Sequence, residues 1–346
     1  MKKSAKVLSL VLAGAMALSL SACGSKPAEP APTEATTTAA AESTTAKAEE
    51  TEAAKSTDGK QFKVGVLQLV QHAALDATNK GFIQALDDAG LNYVADQQNA
   101  SGDQSTCQTI ASKLVNDGSD LILAIATPAA QAVANATSDI PVLLTAVTDP
   151  AGSDLVDSND TPGGNVSGTS DLTPVKEQIT LLKQILPEAK TVGILYCSAE
   201  SNSEIQAAMA REAIENEGMT AVEYTVSNSN EIQTVVTSMI GKVDAIYAPT
   251  DNVIAAGMAT VAMVANENGL PIICGEEGMV NAGGLATYGI DYYELGYLTG
   301  QQAVKILMEG ADISTMPIEY LPLEKCKLSV NEETAELLGI DVSGLK

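Results

Sequence analysis

From Phe62 onward the chain alternates two kinds of segment. FKVGVLQLV (62–70) is a short apolar run, and ALDATNKGFIQALDDAG (74–90) follows at helical spacing. Leu75, Phe82, Ile83 and Leu86 share one face of that helix, and Gly90 stands where it should end. LNYVADQQ reads as a second strand and DQSTCQTIASKLVNDG as a second helix, with Ile110 and Leu114 at i, i+4. DLILAIA is a third strand, 128–136 a third helix, and IPVLLTAV a fourth strand. The series then restarts. TVGILYC is a strand and 202–217 a helix, for which Ser201 and Glu204 have the spacing of a capping box. MTAVEYTV, a helix over 231–240, DAIYAP, a helix over 252–268 and LPIICGE complete it.

The two series match step for step. Asp120 and Asp244 open their third strands, and Pro141 and Pro271 precede their fourth. Repeated β-α units predict parallel sheets with helices on both faces. The expected class is therefore α/β, with two doubly wound lobes. Ligands of such sheets bind beyond the carboxyl ends of the strands, near helix N-termini. LAIATPAAQ and AIYAPTDNVIA turn from strand to helix at Thr127–Pro128 and Thr250–Asp251, the same corner in each lobe. Pro128 suits a first helical turn, where its missing N–H is not needed. The other polar strand ends are Gln71, His72, Asn99, Thr148 and Asp149 in the first series. In the second they are Glu200, Asn202, Ser203, Asn228, Glu276 and Glu277. Singly, each could equally cap a helix or make a turn; together they outline a cleft.

A length of 346 residues suits two compact domains, and 45% hydrophobic residues can fill their cores. The net charge of −25 repels phosphate backbones and argues against nucleic acid. Lys2, Lys3 and Lys6 precede an apolar run, 7–20, too short for a comfortable membrane span. It ends in LSAC, which resembles a bacterial lipobox; residues 1–22 then form a signal peptide and Cys23 is lipidated. Residues 23–60, rich in Ala, Thr, Glu, Pro and Ser, read as a disordered tether. Cys107, Cys197, Cys274 and Cys326 lack metal-ligand or redox spacing and read as buried thiols, with a disulfide left open.

Enzyme chemistry finds little support. The chain has one histidine and no G-x-S-x-G, H-E-x-x-H, P-loop or G-x-G-x-x-G. No cofactor and no metal site is expected. The ligand is narrowed by what is scarce. No Trp and two Phe disfavour stacking of a sugar ring, and the single Arg211 lies in a charged helix rather than at a strand end. Acids, hydroxyls and amides remain. They suit an ammonium, and helix N-termini can hold a carboxylate. A zwitterionic amino acid meets both demands; a cationic or neutral polar solute fits nearly as well.

QHAALDATNKGF, LILAIATPAAQAVANAT, IPVLLTAVTDP, GGNVSGTSDLTP, DAIYAPTDNVIA, GEEGMVNAGGLATYGIDYYELG and KLSVNEETAELLGI are similar to stretches of the substrate-binding lipoproteins of bacterial ABC importers. More narrowly they resemble the tryptophan/tyrosine type, from about Lys63 to Ile340. The resemblance implies a type 1 periplasmic-binding-protein fold whose lobes are joined by a three-strand hinge. GNVSGTSD and ATYGIDYYELG would be the first two crossovers and 317–321 the third. Lobe 1 would be 61–170 plus 291–318, and lobe 2 would be 171–290 plus 319–346. The implied function is a lipid-anchored receptor on the extracytoplasmic face that closes on an aromatic amino acid and serves an ABC permease and its ATPase. A ligand-sensing subunit of a signalling system is the alternative. The resemblance carries ligand contacts to His72, Thr127, Asp149, Asn202, Thr250, Asp251 and Glu276. Strand-end position adds Asn99, Thr148, Ser203 and Glu277, and Asp291 follows the second crossover, as hinge or as site.

Overall fold

The computed structural model describes residues 59–345. The leader, Cys23 and almost all of the tether lie outside them.

The alternation folds as two sheets. The first series gives β1 (Phe62–Gln68), α1 (Ala73–Asp88), β2 (Tyr93–Asn99), α2 (Gln104–Asn116), β3 (Leu121–Ile125), α3 (Thr127–Ala136), β4 (Val142–Val147) and β5 (Val166–Ser170). After α4 (Val175–Ile185), the second gives β6 (Thr191–Cys197), α5 (Ser201–Asn216), β7 (Thr220–Val226), α6 (Ile232–Met239) and β8 (Ala245–Ala248). It continues with α7 (Asn252–Ala256), α8 (Met258–Glu267), β9 (Ile272–Cys274), α9 (Glu277–Asn281) and β10 (Ala286–Gly289). The chain closes with α10 (Tyr292–Glu309), β11 (Glu319–Tyr320), β12 (Lys327–Val330) and α11 (Glu332–Leu338).

The sheet orders are β11-β5-β4-β3-β1-β2 and β12-β10-β9-β8-β6-β7, one pattern used twice. All pairs are parallel except β10 with β12. The repeat extends to single side chains. The Asp120 carboxylate takes the Lys63 backbone N–H (2.8 Å), and Asp244 takes those of Lys190 (2.8 Å) and Thr191 (2.9 Å). Each aspartate pins the start of its lobe's first strand. Pro141 and Pro271, which can donate no ladder bond, offer their carbonyls to Ile122 and Ile246 in the neighbouring strands. β3 and β4 are buried at every position, as expected of strands covered on both faces. The four cysteines among the described residues are free.

The chain passes between lobes three times, at β5, at β10 and after β11. α10 returns from the second crossing to pack along α1, close enough that a Cβ at Gly296 would overlap the Thr78 carbonyl oxygen. Three expectations need adjustment. β11 pairs with β5, so Glu319 and Tyr320 belong to the first sheet and the third crossing follows them rather than Ile318. Ser201 does not cap α5: Glu200 holds the N-cap position without a side-chain cap bond, and Ser201 is already helical. The helix expected over 252–268 is broken at Gly257, which lies so close to Ile232 Cδ1 of α6 that any Cβ would collide with it.

Candidate functional site

The carboxyl ends of β1, β3 and β4 face those of β6, β8 and β9. Between them His72, Asp171, Thr250, Asp251, Glu276 and Tyr292 enclose a cavity of ≈ 10 Å³, about the size of one water. The lobes are held close by a small set of neutral hydrogen bonds. His72 Nε2 lies 3.4 Å from Asn252 Oδ1, and Gln206 Nε2 donates to Thr148 Oγ1 at 3.0 Å. Gln104 Nε2 reaches the Ala199 carbonyl at 3.1 Å, and Ser201 Oγ reaches Ser153 Oγ at 3.3 Å.

On the first lobe, the Thr-Pro corner is built from a strained residue. Ala126, the N-cap of α3, has φ 83 and ψ 153, and Ala146 at the end of β4 has φ 53. Such values cost a non-glycine residue on the order of 1–3 kcal/mol and cluster where function demands them. With alanine at the cap, the cap residue makes no side-chain bond to the first amides of α3. Thr127 follows, 1% exposed, and its Oγ1 has no hydrogen-bond partner among the described residues. A buried hydroxyl without a partner, at the positive end of a ten-residue helix, is suited to an anion. His72 ends the loop after β1. Burial lowers its pKa below the ordinary histidine value, and its Nδ1 has no partner among the described residues.

On the second lobe the polar groups are acids. Asp251 caps α7, with Oδ1 taking the Ile254 N–H (2.8 Å) and Oδ2 the Cys197 N–H (2.5 Å). Glu276 caps α9, taking the N–H groups of Met279 (2.7 Å) and Gly278 (2.5 Å) on its two oxygens. Burial pushes Glu276 up to about 7 and Asp171 up to about 6. Burial also raises Asp251 and Glu200, and the Asp251 charge raises Glu200 further.

The sequence-derived candidates thus divide. His72, Thr250, Asp251 and Glu276 line the cavity; Thr127, Thr148, Asn202 and Ser203 are buried outside its lining, and Thr148 and Asn202 bond to the lining residues Asp171 and Thr250. Asn202 Nδ2 bonds Glu200 Oε2 (3.2 Å), Ser203 Oγ (3.3 Å) and the Thr250 carbonyl (3.3 Å), while its Oδ1 is unpartnered among the described residues. Asp149 holds its own turn through the Gly152 N–H (3.1 Å) and Asn159 Nδ2 (3.0 Å). Asn99 is exposed and accepts the Ser101 N–H, and Glu277 is exposed beside Ser329. Asp291 is exposed and caps α10 through Tyr293 and Glu294. Sequence reasoning missed Asp171 and Tyr292, whose hydroxyl donates to Asp171 Oδ2 at 2.8 Å and ties the first crossover to the second. It also missed Gln206, which bonds both Thr148 and Thr250 from the second turn of α5.

The tyrosine-binding protein of Clostridioides difficile (strain R20291) is 42% identical over 346 residues, with 98% of this chain and 94% of that protein covered. An ABC domain from Streptococcus pneumonia, solved in complex with L-Trp, is 40% identical with a TM-score of 0.79 and covers 82% of this chain and 96% of its own. A substrate-binding protein with adhesive properties from Clostridium difficile, solved ligand-free and open, is 44% identical with a TM-score of 0.63, covering 82% and 97%. The more identical of these two structures is the less similar in shape. A binding protein solved with 5-methylthioribose, 15% identical with a TM-score of 0.56, shares the fold alone. Residues 63–344, which hold both lobes and all three crossings, match the family model of ABC transporter substrate-binding proteins, and the chain belongs to that family.

Proposed function

We propose that this protein is the extracytoplasmic receptor of an ABC importer and closes its two lobes on an aromatic amino acid. The observation that carries the reading is the pairing of opposite chemistries across one cleft. An unpartnered Thr127 hydroxyl at the α3 N-terminus offers a carboxylate site on one lobe, and buried carboxyls offer partners for an ammonium on the other. The aromatic class is supported by the relatives named for tyrosine and solved with L-Trp. Closure is supported by shape, since this chain resembles the L-Trp complex more than the open relative. Hinge closure of lobes around a ligand needs only that the ligand prefer the closed form. No covalent step is required of any residue. His72, Thr127, Thr148, Asn202, Thr250, Asp251 and Glu276 form the site in this reading. Lipidation at Cys23 and the tether keep the receptor at the membrane; among the described residues no helix is long and apolar enough to cross one. The closed form then docks on the permease that the ATPase drives.

Calorimetry against the twenty amino acids tests the ligand. The expected outcome is tight one-to-one binding of L-tyrosine or L-tryptophan, and thermal stabilisation by about 2.7 kcal/mol at a hundredfold excess over Kd. Binding of none of the aromatic three would end the reading.

A further inference from the structure

Beside the inner cavity the cleft widens into a chamber of ≈ 380 Å³ under the loops that follow β2 and β7, within the range of small-molecule sites. Leu69, Val70 and Pro128 line it from the first lobe, and Glu200, Asn252 and Val253 from the second. Pro128 follows Thr127, so the chamber opens beside the Thr-Pro corner. Asn252 borders the chamber and the inner cavity alike. Among the described residues no lysine or arginine lines the chamber.

We propose that Glu200 receives the ammonium group of the bound amino acid in this chamber, opposite the Thr127 corner that holds its carboxylate. The proposal rests on the amino-acid reading above and names the acid that reading leaves open.

The hydrogen-bond pattern separates Glu200 from the other acids of the cleft. Asp251 and Glu276 each spend both oxygens on backbone N–H groups. Asp171 has one oxygen on the Tyr292 hydroxyl and the other 3.4 Å from Thr148 Oγ1. Asp149 gives Oδ1 to its own turn, is only partly buried and does not border the chamber. Glu200 differs. Asn202 Nδ2 (3.2 Å), the Asn252 N–H (3.3 Å) and Asn252 Nδ2 (2.7 Å) all donate to Oε2. Oε1 accepts none among the described residues, in a side chain that is 4% exposed and borders the chamber. Asp103 also borders the chamber, but it is an exposed cap of α2 whose charge water screens.

The amides of Asn202 and Asn252 fix Glu200 in place while leaving one oxygen to a ligand. Among the described residues no ion pair involves Glu200, a buried carboxyl beside Asp251, and an ammonium would supply a positive partner. Buried charges are retained only when paired. The zwitterion would then span the cleft, carboxylate on the first lobe and ammonium on the second, so that one ligand joins both.

The test compares L-tyrosine with 3-(4-hydroxyphenyl)propanoate, the same molecule without its ammonium, by calorimetry on wild type and Glu200→Gln. Glutamine keeps an acceptor for the asparagine amides and removes the charge. Wild type should prefer L-tyrosine by tenfold or more. Glu200→Gln should weaken L-tyrosine by about 30-fold or more, as for one lost partner of a buried charge pair, and leave the propanoate nearly unchanged, so that the preference collapses. Should the glutamine variant fail to fold, Glu200→Asp, which retracts the charge by one methylene, should reduce the same ratio. A preference kept in full by the folded variant overturns the assignment, and so does equal weakening of both ligands, which would make Glu200 a purely structural group. Wild-type protein that binds neither L-tyrosine nor L-tryptophan overturns the amino-acid reading itself.

Discussion

Thr127→Val is the sharpest probe of the cleft, because it should lower affinity without lowering stability. Valine reproduces the shape of threonine and deletes Oγ1. In the structure that oxygen is buried and has no partner among the described residues, and the helix cap is Ala126, so the hydroxyl closes no local hydrogen bond. A buried hydroxyl left unpaired costs about 1–3 kcal/mol of desolvation. Replacing it by a methyl group should therefore leave the ligand-free protein no less stable, and more stable by up to about 1 kcal/mol in the fraction of molecules whose lobes are closed. In the complex the same oxygen is the proposed donor to the ligand carboxylate. A hydrogen bond to a charged group is worth about 1.5–3 kcal/mol, so the dissociation constant should rise by about 10- to 150-fold. Urea unfolding of the ligand-free protein and calorimetry with L-tyrosine and L-tryptophan read the two effects separately. If the variant loses about 1 kcal/mol without ligand and binds as wild type does, Thr127 is a local stabilising element and the anion site lies elsewhere.

Further outcomes follow from the fold and the acids. Asp171 and Glu276 keep their protons in the folded state up to about 6 and about 7, above the ordinary carboxylate values near 4. The folded state thus binds more protons than the unfolded one in this window, and their contribution to stability falls as pH rises through it. Asp171→Asn should consequently gain on wild type as pH rises from about 4 through about 6 and level off above that; a stability difference that does not vary with pH would contradict the assignment. Gly296→Val forces α10 off α1 at the return from the second crossover and should cost several kcal/mol, on the scale of overpacking plus lost core contact; denaturation within about 0.5 kcal/mol of wild type would show that the two helices are not in register as described. Cys23→Ser should release the protein from the membrane fraction, and retention equal to wild type would argue against a lipid anchor.

What could be read from the sequence follows from where each signal resides. The strands and helices were legible because their apolar spacing is local, and the two-lobe plan because the pattern restarts, down to Asp120 and Asp244. The place of Thr250, Asp251 and Glu276 at the cleft was legible because parallel sheets bring such strand ends together there. The same rule could not distinguish Asp251 and Glu276 from Asn99, which ends an edge strand, or from Asp149, which follows an interior strand but holds its own turn. Asp171 and Tyr292 were not legible as a pair. They lie 121 positions apart and meet only because the chain passes between the lobes just after β5 and again just after β10, which is a property of the tertiary fold. Gln206 is a buried polar residue within a helix, and nothing in its neighbourhood marks it as a bridge between lobes. The break at Gly257 likewise depends on a contact with α6 that spacing does not encode.

The division of charge between lobes accounts for how closure could depend on the ligand. The bonds that cross the cleft without it are neutral, among them His72 with Asn252 and Gln206 with Thr148. Each is worth about 0.5–1.5 kcal/mol net, and their sum competes with the loss of hinge freedom and with burial of the cleft acids. Closing the lobes on themselves buries the Thr127 hydroxyl without a partner among the described residues, and burial raises the pKa of Glu200, the acid assigned to the ammonium, above that of an exposed carboxyl. A zwitterion reverses both penalties. Its carboxylate supplies an acceptor on the first lobe, and its ammonium favours ionised carboxyls on the second, so binding should release protons near neutral pH. The ligand then binds the closed form better than the open one by the full value of both contacts, and a shift from 1:99 to 99:1 needs about 5.5 kcal/mol of such difference. One hydrogen bond to a carboxylate and one buried ion pair supply an amount of that order. Calorimetry of L-tyrosine binding in buffers of different ionisation enthalpy measures the proton count directly, and an apparent enthalpy that does not depend on the buffer would separate closure from the cleft carboxyls.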